Sequence, residues 1–445
     1  MSSHISSSRV FGHLWSTPAV DGLFGDEGRF AAWLDILATL AEAQAALGLA
    51  PDVAAKEIRR FAREEVVDLD EVARLTRDAN HSTLGFIRHL RSRLPDVAAD
   101  HVYVGATVQD LTDTWTALVL RGVADLVDAD LATLEDTLAA TTRTHADTVM
   151  VGRTHGQPGL PITFGFKTAV WLDEVRRHRA RLAEGRPRWE RAQLGGGLGT
   201  LEYWGEDGPA LLDEFSRRLG LGAPAAPWLT ARDGIAEFTC WLAMVTATLA
   251  KIGNEVHDLQ RPELGEVRES IPDGTVGSIT MPHKRNPERS EHLVTLARLT
   301  RRCADLALEG MLAQHERDGR AWKTEWSFLP EACASAHVAS GFAVALVAGL
   351  EVDRDRMRAN VEGHGGYLAS AEVLRQLSAD HGKHRAHELV YAASMAGRAD
   401  GLTLREALAA ADVPGVAELE ADGVLDPTRA VASAPAFARR VLDAS

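Results

Sequence analysis

The sequence predicts an all-α protein organised around a bundle of long helices, and three observations carry that reading. Apolar residues recur every three to five positions over stretches longer than an ordinary globular helix. Alternating, β-branched runs of the strand type are almost absent. The glycines and prolines that break helices gather in short segments between the periodic stretches.

Taken in order, residues 1–8 read as a loose polar tail. Phe30 to Leu49 then forms an amphipathic helix, with Trp33, Leu34, Ile36, Leu37, Leu40 and Ala41 on one face and Gly48 and Pro51 closing it. Short helices follow to about Pro95, and Val104 to Thr107 is a loop. A long helix begins at Asp110, where Trp115, Leu118, Gly122, Leu126, Leu131, Leu134 and Leu138 make a stripe wide enough to pack in a bundle. A Gly/Pro-rich turn from Gly152 to Pro161 ends it, and Phe164 to Leu182 starts the next helix. Ile235 to Leu259, Glu291 to Ala313 and Glu331 to Leu350 are three more, so the middle of the chain is a bundle of about five helices. From Arg356 onward, Gly363, Gly365, Gly366 and Gly382 divide shorter helices. Because 445 residues exceed one ordinary core, two or three domains are expected, and the boundaries are placed at 1–104, 105–352 and 353–445.

Composition excludes several classes. A net charge of −15 argues against general affinity for nucleic acid, although a local cationic pocket can still take an anionic substrate. Cys240, Cys303 and Cys333 lie far apart without metal-ligand spacing, and H-E-x-x-H is absent, so neither a metal nor any other cofactor is expected. Met1 to Ser8 lacks the apolar core of a signal peptide, and apolar runs such as Ser340 to Leu350 are too short to span a bilayer. The expectation is a cytoplasmic protein with no membrane partner. Leu194 to Thr200 (LGGGLGT) is not a dinucleotide loop, because Thr200 takes the place of the last glycine and no strand precedes it.

The chemistry concentrates between Gly274 and Glu291, GTVGSITMPHKRNPERSE. Pro282 and Pro287 forbid a continuous helix there, and Gly274 and Gly277 permit unusual backbone. Lys284 offers a charge, Asn286 an amide, and the loop N–H groups can make an anion-binding concavity.

GSITMPHKRNP closely resembles the G-S-S-x-M-P-x-K-x-N-P signature of the fumarase/aspartase superfamily. GATVQDLTDT (Gly105–Thr114) and GRTHGQPGLPITFGFK (Gly152–Lys167) resemble two further family segments in the expected order. The resemblance covers nearly the whole chain and points to the adenylosuccinate lyase and carboxymuconate cycloisomerase branch. It implies a three-domain fumarase/aspartase-like fold and a homotetramer whose active sites take residues from three subunits. It implies a reaction that removes a proton beside a carboxylate, expels a group from the next carbon, and releases fumarate. Ser278 matches the catalytic base, which nearby positive charge must stabilise as an alkoxide. His155 matches the general acid, and Glu291 the carboxylate that orients it. Lys284 and Asn286 would meet the doubly charged aci-carboxylate intermediate. Thr107, Thr154 and Gln157 resemble binders of the substrate carboxylates, and Arg153, beside Thr154, and Met281, in the signature, are taken as substrate-binding with them. His81, in DANHSTLGF, resembles a second site histidine. Arg317, in QHERD, and Lys323 are cationic, lid-like candidates.

The sequence departs from the family pattern at four places. Val108 removes a hydroxyl of G-A-T-S, Ile279 replaces the second serine of the signature, and Ser82 stands where Asp usually follows the histidine. Ala231-Arg232-Asp233-Gly234 lacks both polar flanks of Gln-Arg-Asp-Arg. The N-terminal SSRVFGHLWST has no Arg-Tyr pair for a nucleotide phosphate and looks like the cycloisomerase branch, in which bacterial members tend to carry Trp where His155 stands. An elimination-type acid beside a nucleotide-poor entrance reads as a carbon–nitrogen lyase acting on a small N-substituted succinate, of nitrosuccinate or N-alkylaspartate type. The alternatives are adenylosuccinate lyase, 3-carboxy-cis,cis-muconate cycloisomerase and a non-catalytic structural member of the superfamily.

Overall fold

The computed structural model describes residues 5–271 and 274–444, and these are predominantly helical, as expected. Helix α1 (Asp26–Ala46) buries the apolar residues expected of it, but not on one face: Ile36 to Ala41 are buried in succession, so its middle is enclosed on every side, and it ends before Gly48, whose positive φ turns the chain away. Five long helices follow: α2 (Val108–Thr144), α3 (Phe164–Trp189), α4 (Asp233–Leu259), α5 (Glu288–Gly310) and α6 (Gly319–Ala348).

The chain divides into two compact units. Unit one takes the chain up to Asp130, His178–Ala247 and Thr295–Gly341. Unit two takes Leu131–Arg177, Thr248–Val294 and the chain from Phe342 onward. All five long helices contribute residues to both.

Unit one has an aromatic interior around Trp189, Phe238 and Trp241, all buried, with Trp189 and Phe238 edge to face at 5.6 Å. The Trp241 indole N–H donates to the His178 carbonyl at 3.0 Å, which spares a buried donor. Arg232, 2% exposed, lies between two buried carboxylates. Its Nη1 donates to Asp113 Oδ2 at 2.7 Å and its Nε to Glu325 Oε1 at 2.8 Å, which ties α2 and α6 to the segment entering α4. One cation faces two anions here. Burial accordingly pushes the Glu325 carboxyl above the usual range, against the pull of Arg232.

In unit two, ion pairs join α3 to α4, Lys167 to Glu255 at 2.6 Å and Lys251 to Glu174 at 2.5 Å. The short C-terminal helices close over Val373, Leu377, Val390, Leu404 and Leu408.

Four expectations need correction. Residues 1–4 of the expected tail lie outside the described residues, but Ile5–Ser7 and Gly12–Leu14 form 3-10 turns. The turn at Gly152–Pro161 is instead most of an antiparallel hairpin, β1 (Val149–Thr154) and β2 (Gln157–Thr163), in unit two. His155 and Gly156 take φ of 54° and 72°, the two positive values that a two-residue hairpin turn requires. Pro158 and Pro161 are tolerated because a two-stranded ribbon has a free edge on each strand. Helix α6 starts twelve residues before Glu331 and runs through Pro330. The carbonyl that Pro330 leaves without a helical donor belongs to Trp326, a residue that is 43% exposed. Finally, α4 and α6 are both long and apolar enough to cross a bilayer, with 61% of each apolar window buried inside the fold.

Replacing Arg232 by Met should leave two buried carboxylates facing each other and cost roughly 3–5 kcal/mol. Glu325→Gln, which removes the surplus negative charge and keeps an acceptor, should cost much less. Denaturant unfolding of both variants measures the contrast.

Candidate active site

The site segments fall into three clusters, each built around a carboxylate. In unit one, Thr107 ends the loop before α2, and its carbonyl accepts from the Leu111 amide at 3.5 Å. Asp110 reaches back to accept the Thr107 amide at 2.9 Å. The same carboxylate accepts the Gly195 and Gly196 amides at 2.8 and 2.9 Å and the Gln193 side-chain amide at 3.1 Å. It thereby fastens the GATVQD segment to the glycine loop. Gly105, at φ 70°, must be glycine, since a Cβ there would lie 2.1 Å from the Trp204 indole nitrogen. Arg317 Nη2 donates to Thr107 Oγ1 at 2.9 Å and to the Gly196 carbonyl at 3.2 Å. Thr107, Arg317 and the glycine loop are thus brought together. Val108 is the first residue of α2.

In unit two, Thr154, His155 and Gln157 occupy the tip of the hairpin, and all three are exposed. Among the described residues His155 makes no side-chain hydrogen bond. Arg153 points elsewhere: its guanidinium makes two bonds, 2.9 and 2.8 Å, to the fully buried carboxylate of Glu266. Asn360 adds a third donor to Glu266 at 2.9 Å. Arg153 therefore braces the hairpin.

The signature loop is the third cluster, also in unit two. The Met281 amide donates to Ser278 Oγ at 3.1 Å, so Met281 meets the serine through its backbone. The Lys284 amide donates to the Met281 carbonyl at 2.9 Å, and a Cβ on Gly277 would sit 2.7 Å from the Lys284 carbonyl. Only glycine lets the backbone close this tightly. Lys284 is exposed, and its ammonium has no carboxylate partner among the described residues. Asn286 donates to Glu288 at 3.3 Å. Glu291 lies in the first turn of α5, exposed, and Ile279 is 95% exposed.

His81 stands apart in unit one. Its Nδ1 accepts the amides of Thr83 and Leu84 at 3.3 and 3.2 Å, at the start of the helix Leu84–Arg93. An Nδ1 that accepts leaves Nε2 as the ring's donor. Lys323 is exposed near the start of α6. Ala231 lines a hollow of about 240 Å³ with Trp189, Pro227 and Trp228. Among the described residues no group of His, Cys, Asp and Glu is arranged to hold a metal ion. The sequence reading missed the three anchoring carboxylates, Asp110, Glu266 and Glu269. For Asp110 a signal existed, since Thr-x-x-Asp before an apolar run has capping-box spacing.

A family model described as Lyase matches residues 15–299. The N-acetyl-S-(2-succino)cysteine lyase of Dickeya dadantii is 36% identical over 98% of this chain and 96% of its own length. The chain is a lyase of the fumarase/aspartase superfamily. The lyase is also similar to the nitrosuccinate lyase of Streptomyces davaonensis, 36% identical over 95% of this chain and 92% of the relative. The crystal structure of the 3-carboxy-cis,cis-muconate lactonizing enzyme from Pseudomonas putida matches the lyase with a TM-score of 0.88 at 34% identity, covering 98% of each chain.

Burial pushes the Asp110 carboxyl of the lyase from an ordinary 3.8 up to about 6, against the opposing pull of its four donors. The folded protein therefore holds this proton more tightly than the unfolded chain. The contribution favours folding below about pH 4 and is lost as the pH rises through about 6. Asp110→Asn cannot ionise, so the variant should gain stability relative to wild type between pH 4 and pH 7. Denaturant midpoints at the two pH values read the difference.

Proposed function

We propose that this lyase expels the substituent from C2 of a small 2-substituted succinate and releases fumarate. The observation that carries the reading is the signature loop, where the Ser278 hydroxyl receives a fixed amide donor and the Lys284 ammonium stands without a carboxylate partner. A fixed donor and a free cation are what an alkoxide base and a developing aci-carboxylate need. Ser278 takes the proton from C3. That electron pair forms the double bond, the C2–X bond breaks, and His155 delivers its proton to X. Fumarate and HX leave, Ser278 gains a proton and His155 loses one. Glu291 orients His155, and Lys284 and Asn286 meet the aci-carboxylate. Thr107, Thr154, Gln157 and Arg317 hold the carboxylates, His81 offers its Nε2 proton, and Arg153 and Met281 act through the hairpin and the loop.

The leaving group is attached through nitrogen or through sulfur. The name of the Streptomyces relative supports a nitro group, and that of the Dickeya relative extends the class to a thioether. The assembly is a homotetramer in which three subunits contribute one cluster each to a site. The exposure of the hairpin tip and of Lys284 in the single chain supports this. A cycloisomerase remains the second reading, favoured by the likeness to the Pseudomonas lactonizing enzyme.

Ser278→Ala should lower kcat by several orders of magnitude and leave substrate binding largely intact; turnover within about tenfold of wild type would place the base elsewhere. If subunits share sites, mixing inactive Ser278→Ala with impaired His155→Asn protein under subunit exchange should restore part of the activity, and an unchanged rate would count against sharing.

His155→Asn should discriminate between leaving groups. An amine must be protonated as it departs, whereas nitrite is already a stable anion. The loss should be about 10²–10⁴-fold for an amino-substituted succinate and much smaller for nitrosuccinate. Equal losses would make His155 a positioning group. A cycloisomerase would process neither compound.

A further inference from the structure

Helix α5 begins directly after Pro287, a residue whose side chain offers no oxygen to cap a helix. The amides of its first turn, normally satisfied by a Ser, Thr or Asp at that position, need another acceptor. Glu269, 6% exposed and eighteen residues earlier in the chain than Pro287, supplies it. Its Oε2 accepts the Arg289 amide at 3.2 Å, and its Oε1 accepts the Ser290 amide at 3.1 Å together with the Ser290 hydroxyl. Gln260, just beyond the end of α4, holds Glu269 in place. The Glu269 amide donates to Gln260 Oε1 at 3.3 Å, and Gln260 Nε2 donates to Glu269 Oε1 at 3.4 Å. Arg289 closes the arrangement by donating to the Ser270 carbonyl at 2.9 Å.

The consequence reaches the proposed chemistry. Asn286 lies just before the first turn of α5 and Glu291 within it. A shift in where that turn begins would move both. We infer that Glu269 is a positioning residue for the elimination: a cap borrowed from the far side of the signature loop that fixes Asn286 and Glu291 relative to the rest of unit two. The inference rests on the reaction proposed above, in which those two residues serve the aci-carboxylate and the general acid.

The test uses the full-length protein with Glu269→Gln, which keeps the shape and places an NH₂ group against the helix amides. Fumarate release from N-acetyl-S-(2-succino)cysteine and from nitrosuccinate is followed by ultraviolet absorbance, well below the melting midpoints of both proteins. The expected result is a kcat reduced by about tenfold or more with KM changed less than about threefold, because the Thr107–Arg317 contact does not involve Glu269. Glu269→Asp, which keeps a carboxylate, should recover part of kcat, and it carries the same comparison if the Gln variant does not fold. A role confined to stability predicts wild-type kcat at that temperature, and this result would overturn the inference. Hydrogen exchange of the amides between 286 and 291 separates the inference from the reaction it rests on. If wild type turns over neither substrate, the reaction reading fails. Faster exchange in Glu269→Gln would still support the positioning role, and unchanged exchange would reject it.

Discussion

A guanidinium held between two carboxylates in a dry interior sets the frame of unit one. Arg232 is buried as fully as its aromatic neighbours, so its charge persists only because Asp113 and Glu325 surround it. The three groups come from α2, α6 and the segment entering α4, so none of these can move without opening the triad. Thr107 lies at the start of α2 and Arg317 just before α6. The contact between Thr107 and Arg317 is thus a surface expression of charge balance in the interior.

The three clusters of candidate site residues share one design. Each is an irregular segment fastened by a buried carboxylate that accepts several hydrogen bonds. Asp110 gathers the GATVQD segment and the glycine loop, Glu266 secures the hairpin through Arg153, and Glu269 fastens the exit of the signature loop. Loops rich in glycine and proline leave many amides without helical or sheet partners, and an ionised acceptor satisfies several at once. The anchors are buried, while Lys284, His155 and Glu291 remain exposed.

The helical class and the five long helices were legible in the sequence because their apolar stripes persist for many turns, which chance rarely imitates. Helix ends were less legible. Glu331 looked like a start because Pro330 precedes it, yet α6 runs through Pro330, and the hydrogen bond lost there is carried within a helix of thirty residues. The hairpin was hidden by Pro158 and Pro161, which argue against a strand in any sheet with neighbours on both sides and are harmless in a ribbon. The motif residues were legible one by one, through wording shared with a family. Of their anchors only Asp110 left a signal; Glu269 and Ser290 are related only by a fold that returns the start of α5 to the chain just after Val267 and Arg268.

The left-handed backbone at His155 limits which chemistry the hairpin tip can carry. At φ 54° asparagine, aspartate and histidine are accommodated with little strain, whereas valine, isoleucine and threonine are strongly disfavoured. A β-branched residue there would force the turn to open and would displace Thr154 and Gln157 together, since they form the last pair of the ribbon. The dihedral angle thus filters the residue alphabet at position 155 before selection for any substrate begins.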